Sequence, residues 1–178
     1  MSWELKGQVL AEGVPTTGAR VHAAQYLPGI AVRGLPGVRT SDFSLSTVCD
    51  TEGRFHFVGL RPGPASVRVH LSGFIGGHAF VEGPGATPLV IQLERGASIR
   101  GRLEGFAVKR PVSVLLEADQ RGMWESGCAG TAEFEFDGLP PGLYRIRLES
   151  EEVELVEPGE ILLEPKRAHN LVLKVRSR

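Results

Sequence analysis

The sequence predicts an all-β fold: two tandem antiparallel β-sandwich domains of about seven strands each. Three observations predict it. Apolar residues alternate with polar ones at a period of two along most of the chain, the pattern of strands with one buried and one wet face. No stretch sustains the 3.6-residue period of a helix, and 23 Gly with 12 Pro divide the chain into many turns. One passage is also written twice. Gly53-Arg54-Phe55-His56-Phe57-Val58-Gly59-Leu60-Arg61-Pro62-Gly63 recurs as Ala132-Glu133-Phe134-Glu135-Phe136-Asp137-Gly138-Leu139-Pro140-Pro141-Gly142, offset by 79 residues (134 − 55).

In chain order, the first half alternates at Leu5/Gly7/Val9, Ala19/Val21/Ala23, Phe55/Phe57, Val67/Val69/Leu71 and Leu89/Ile91/Leu93. The second half follows with Ile99/Gly101/Leu103, Val112/Val114/Leu116, Phe134/Phe136, Tyr144/Ile146/Leu148, Val153/Leu155 and Leu171/Leu173/Val175. Residues in the opposite phase are polar: Arg20, His22, His56, Arg68 and His70, then Arg100, Arg102, Glu133, Glu135, Arg145 and Arg147. In Gly-Leu-x-Pro-Gly, Pro presets φ and Gly accepts a positive φ. The element therefore reads as the turn of a β-hairpin with its Leu tucked beneath, which places His56 across from about Arg68. The halves meet near Glu94-Arg95-Gly96-Ala97, giving domains 1–95 and 96–178 joined too closely for a flexible tether.

Composition bounds the functional classes. With 178 residues, 42% of them apolar, each half can bury a modest core. The net charge of −1 gives no footprint for nucleic acid. Residues 1–95 carry 8 Lys+Arg against 7 Asp+Glu and four of the five His, leaving 12 (20 − 8) against 14 (21 − 7) for 96–178. The cluster Glu149, Glu151, Glu152, Glu154 and Glu157 reads as a solvated strand edge. No apolar run approaches the ~18 residues of a membrane helix. The start Met-Ser-Trp-Glu-Leu-Lys lacks a secretory signal, so the expectation is cytoplasmic, or secreted or surface-associated if the chain is a processed piece. Cys49 and Cys128 are likewise 79 apart (128 − 49). They thus occupy equivalent positions in two domains, beyond disulfide reach, and are expected to be reduced, half-buried and structural.

The symmetry breaks between Tyr26 and Asp50, where the first repeat is longer than the second between Leu116 and Ala129. This enlarged 27–47 loop carries two Leu-Pro-Gly pieces and exposed-looking apolar residues, and long loops on a rigid sandwich often carry function. The candidate partner-binding residues are Ile30, Val32, Arg33, Leu35, Val38 and Arg39. The alternative is a loop that only folds back over a sheet edge.

The pattern Gly7-x-Val9, Gly18-Ala19-x-Val21, Asp50-x-x-Gly53-x-Phe55-x-Phe57-x-Gly59-Leu60-x-Pro62-Gly63 and Val67-x-Val69 resembles the carboxypeptidase regulatory-like domain, a relative of the transthyretin-like and collagen-adhesin B-type sandwiches. The second half is similar through Gly101-x-Leu103, Phe134-x-Phe136-x-Gly138-Leu139-x-Pro141-Gly142 and Tyr144-x-Ile146 but lacks the Asp. The resemblance implies an accessory module, since such domains accompany peptidases, outer-membrane receptors and adhesins, and fold does not dictate function.

Chemical constellations are absent where this resemblance suggests looking for them. Adhesin-type relatives cross-link a first-strand Lys to a last-strand Asn. Here Lys6 meets no Asn in Leu89–Leu93, and Asn170 meets Arg100 and Arg102, so no isopeptide bond is expected. The hydrolase-type C-terminal Tyr-Arg-Gly-Ser is replaced by Val175-Arg176-Ser177-Arg178. The histidines have no zinc-like spacing, and nearby Arg opposes a cation. No phosphate loop sits between a strand and a helix. No enzyme activity, cofactor or metal is therefore expected. The expected role is a non-enzymatic protein-binding or scaffold module acting through the 27–47 loop or an exposed sheet edge. The alternative is a carbohydrate-binding accessory domain using Trp3 or Trp124 with the Arg/His sheet face, against which both tryptophans read more simply as packing residues.

Overall fold

The structure, a computed structural model, describes residues 2–25, 43–85, 88–105, 111–118, 122–128, 132–157 and 159–177. Its contacts fall into two compact units, Met1–Glu94 and Arg95–Arg178. The first holds β1 (Trp3–Ala11), β2 (Val14–Pro15), β3 (Arg20–Gln25), β4 (Phe43–Val48), β5 (Arg54–Leu60), β6 (Ala65–His70), β7 (Gly77–Val81) and β8 (Leu89–Leu93). The second holds β9 (Ala97–Glu104), β10 (Val112–Ala118), β11 (Gly122–Cys128), β12 (Glu133–Leu139), β13 (Gly142–Glu149), β14 (Val153–Leu155), β15 (Gly159–Leu163) and β16 (Ala168–Ser177).

Each unit is a two-sheet sandwich. In the first, β1 lies between β5 and β8 with β2 on its end, facing a sheet ordered β4-β3-β6-β7. In the second, β12-β9-β16-β14 faces β11-β10-β13-β15. Inward residues of both sheets form one core per unit, Leu5, Val9, Phe55 and Ile91 meeting Val21, Val67 and Val69 in the first. Ile99, Leu103, Phe134 and Leu173 meet Val114, Leu116 and Ile146 in the second. The sandwiches are not wholly antiparallel: β1 runs parallel to β8, and β9 to β16. A period-two pattern says which face a residue takes but nothing about strand direction, so this detail was not legible in it.

The Gly-Leu-x-Pro-Gly element corrects the hairpin expectation. β5 pairs with β1 while β6 pairs with β3, so the element is an arch that carries the chain from one sheet to the other. In the second unit β12 joins β9 and β13 joins β10 in the same way. His56 therefore sits opposite Lys6, and it is His22 that faces Arg68. Leu60 and Leu139 are fully buried beneath their arches, and Gly59 (φ 88°) and Gly138 (φ 62°) adopt the left-handed backbone that bends the strand.

An arch leaves a partly buried backbone carbonyl that no ladder reaches, and each unit satisfies it differently. In the first, Arg61 O accepts from Trp3 Nε1 at 2.6 Å and from Gln25 Nε2 at 2.8 Å, while Arg61 N donates to Gln25 Oε1 at 2.8 Å. Gln25 can be 98% buried because both ends of its amide are paired. In the second unit Ala97 takes the place of Trp3, each pairing with the arch leucine, Leu139 or Leu60. Tyr144 takes the place of Ala65 (65 + 79) and donates its hydroxyl to Pro140 O at 2.7 Å. Trp with Ala becomes Ala with Tyr. One aromatic fills the space and reaches the same carbonyl from the opposite sheet.

A second constraint is shared without change. A Cβ on Gly7 would fall on Phe55 Cζ and within 2.5 Å of Leu89 O, and one on Gly101 would fall on Phe134 Cζ and within 2.8 Å of Leu171 O. The aromatic ring of the neighbouring strand lies over the glycine and occupies its missing side chain's volume. The Asp50-x-x-Gly53 motif is also local: the Asp50 carboxylate accepts from Glu52 N at 2.9 Å and Arg54 N at 2.8 Å, closing the turn into β5.

Cys49 is a free thiol that is 96% buried in the first core, more deeply than the half-buried site expected. Burial, with the neighbouring Asp50 charge in second place, pushes its pKa up and disfavours the reactive thiolate.

Three outcomes follow. Gly7→Ala and Gly101→Ala should each cost about 2–3 kcal/mol in chemical denaturation, because ring and backbone must both shift; losses below about 0.5 kcal/mol contradict the packing described. Trp3→Ala should cost about 3–5 kcal/mol. The double variant Trp3→Ala/Ala65→Tyr, which copies the second unit, should recover part of that, and a double variant no better than the single one would sink the exchange. In a Cys128→Ser background, Cys49 should resist a thiol-labelling reagent until denaturant is added; rapid native labelling would show that it is not buried.

Candidate interaction surface

The six candidate loop residues, Ile30, Val32, Arg33, Leu35, Val38 and Arg39, lie outside the described residues. The end of the enlarged loop is described, and it is a strand: residues 43–47 belong to β4. Its alternation, Phe43/Leu45/Thr47 against Ser44/Ser46/Val48, was hidden in the loop assignment because serines dilute the apolar signal. β7, β11 and β15 escape the pattern for similar reasons: β7 and β15 are short, and all three carry Gly or polar residues inside it.

β4 pairs with β3 from Arg20↔Val48 to Gln25↔Phe43 and with no other strand among the described residues. Phe43 and Leu45 pack against the core, the Arg61 guanidinium sits 5.2 Å from the centre of the Phe43 ring, and Ser44, Ser46 and Val48 face outward. Natural edge strands are commonly protected by charge, proline or brevity. β4 has six residues, none of them charged and none proline. Most other edges are guarded: β11 carries Glu125, β12 carries Glu133 and Glu135, β14 carries Glu154 and β15 carries Glu160. β7 and β8 are also free of Lys, Arg, Asp, Glu and proline, but each has only five residues: Glu82 directly follows β7, Pro88 precedes β8, and Ile75 N closes onto Glu94 O at 2.9 Å just past the end of β8.

Outward-facing charges in the second unit neutralise one another. Arg147 Nη1 lies 2.9 Å from Glu117 Oε1 and Arg145 Nε 3.9 Å from Glu160 Oε1. On its other sheet, Arg100 Nε lies 2.9 Å from Glu135 Oε1 inside an open depression of about 810 Å³ shared with Arg102 and Asn170. The acidic edge is partly paired as well, Glu154 with Arg176 at 2.8 Å. In the first unit, His56 Nε2 lies 3.0 Å from Glu4 Oε2; that hydrogen bond, with Lys6 next, holds the Glu4 carboxyl below its usual range. Such exposed pairs orient side chains more than they stabilise the fold.

The tryptophans do not form sugar platforms. Trp3 is buried, with its indole N–H spent on Arg61 O. Trp124 is half-buried, its ring edge-on to the core Tyr144 at 5.4 Å. The carbohydrate-binding alternative therefore loses the flat aromatic faces it required. Among the described residues, no three His, Cys, Asp or Glu side chains stand together as metal ligands, and no helix is long and apolar enough to cross a membrane.

No protein-family model matches the chain, and no curated protein does. Among solved structures it is similar to the Bacillus anthracis TIE protein, with 14% identity and a TM-score of 0.40 over 99% of this chain and 34% of that one. It is also similar to GBS52, the minor pilin of Streptococcus agalactiae, with 10% identity and a TM-score of 0.45 over 99% and 96% of the two chains. The shaft pilin SpaA of Lactobacillus rhamnosus GG gives 7% identity and a TM-score of 0.37 over 99% and 98%. At these identities and scores, no role of those proteins is carried to this chain.

Proposed function

We propose that this chain is a non-enzymatic protein-binding module, built from two diverged copies (1–95 and 96–178) of a carboxypeptidase regulatory-like sandwich. What supports the shared ancestry is the repeat of interior detail: Gly7 under Phe55 and Gly101 under Phe134, and an arch at the same place in both. The binding element is the β4 edge together with the segment that leads into it, including Ile30, Val32, Arg33, Leu35, Val38 and Arg39. The observation that carries this reading is the unguarded edge itself, six residues free of charge and proline. An extended partner segment adds to such an edge through main-chain hydrogen bonds, and alternate side chains supply selectivity.

Two variants test it in a pull-down from the source organism. Deleting residues 29–38 should leave both units folded and abolish capture of the partner. Ser44→Lys/Ser46→Lys, which installs the charges that guard other edges, should reduce capture by about tenfold or more without lowering the melting temperature. A partner held equally well by both variants would remove the edge and the loop from consideration.

A further inference from the structure

The outer face of the sheet β4-β3-β6-β7 differs from every other outer face described. Cross-strand register places Ser46, His22, Arg68 and His78 in one row and Val48, Arg20 and His70 in the next. A third row holds Ser44, Ala24, Ser66 and Phe80. Arg20, His22, Arg68, His70 and His78 line one open depression of about 530 Å³. No carboxylate stands on any of these four strands. The nearest by chain position are Asp42, which precedes β4 and lies outside the described residues, Glu82, one outward step past Phe80, and Asp50, whose carboxylate is held by Glu52 N and Arg54 N. Elsewhere Arg54, Arg100, Arg102, Arg145, Arg147, Arg167 and Arg176 each pair with a glutamate. Arg20 and Arg68 pair with none among the described residues.

The second unit serves as an internal control, because the same sheet is built there at matching positions. Arg147 stands at the place of Arg68 and Glu149 at that of His70, each 79 residues on. Register also equates Glu117–Arg145–Glu160 with Ala24–Ser66–Phe80. Three carboxylates of one unit are thus replaced by Ala, His and Phe in the other. The pleated scaffold tolerates a neutralised face, so its need for stability does not explain an unneutralised one. Two arginines are permanently charged, and the three imidazoles beside them offer ring nitrogens as further hydrogen-bond partners for a carboxylate.

We infer that this face binds an acidic segment of a separate polypeptide. Its carboxylates meet Arg20, Arg68 and the three histidines, and its apolar side chains meet Phe80 and Val48, which are 61% and 57% exposed at the margins of the same face. The mixture of cationic centre and apolar margin selects the partner class: a nucleic acid or sulfated polysaccharide has charges for the centre but nothing aliphatic for the margin. Electrostatic complementarity of this kind sets specificity and association rate. The inference rests on the reading of the chain as a protein-binding module and names the chemistry of what it binds.

The test uses the whole chain and a synthetic peptide alternating Glu with Val and Leu, titrated by calorimetry at low salt. The wild type should bind, with affinity falling as salt is added. His70→Glu/Phe80→Glu and, separately, Arg20→Ser/Arg68→Ser should weaken binding by about tenfold or more while leaving the melting temperature in place. Ser44→Lys/Ser46→Lys should block edge pairing yet retain the peptide, so the failure of either proposal can be told from failure of the other. Several results overturn the inference: no peptide binding, equal binding by the charge variants, or tighter binding of single-stranded DNA or heparin than of the peptide. Self-association of the wild type that His70→Glu/Phe80→Glu abolishes also overturns it, since the occupant is then a second copy.

Discussion

A partly buried carbonyl at the top of an arch is the constraint on which each sandwich turns. Sending the chain from one sheet to the other lets Phe57 and Leu60 face Ala65 and Val67 across one core, but it strands the backbone of residue 61, or 140, away from any ladder. An unpaired carbonyl costs up to about 1–3 kcal/mol when fully buried and less when partly so, still a noticeable share of a small domain's margin. Trp3 and Gln25 answer that need in one unit and Tyr144 in the other, from different strands and with different donors. The geometry of the need is kept while the residues that meet it have been exchanged.

Interior and exterior accordingly differ between the two units under different rules. Inside, changes are coupled, because volume removed at one position must be returned at its neighbour; Trp3 with Ala65 and Ala97 with Tyr144 fill equivalent space. Outside, positions change one at a time, since exposed ion pairs contribute little to stability. The two outer faces of one sheet type have therefore reached opposite electrostatic states, self-paired in the second unit and cationic in the first. The β4 edge belongs to the same sheet as the cationic face, which places both features distinguishing the first unit on one surface.

Much of this was legible in the residues. The phases of β1, β3, β5, β6 and their counterparts followed from alternation, and the outward Arg and His residues lie where those phases put them. The buried arch leucines followed from the repeat. What escaped was whatever depends on a partner distant in sequence. β4 was absorbed into a loop because serine occupies its outward positions, and His56 was set against Arg68 because a turn motif does not reveal which sheet the chain enters next.

The sequence by itself determined the all-β character, the face each residue of an alternating run occupies, the sites of the arches and the twofold internal repeat. These are local properties, set by backbone preference and by side-chain alternation within a few residues. Tertiary structure alone decided that the arches cross between sheets, that the first and last strands of each unit run parallel, that β4 pairs on one side only among the described residues, and that two arginines and three histidines from β3, β6 and β7 gather on strands that carry no carboxylate. The physical reason is that pairing partners are chosen by long-range packing of two sheets around one core. A period of two specifies inside and outside but is silent about which strand lies alongside.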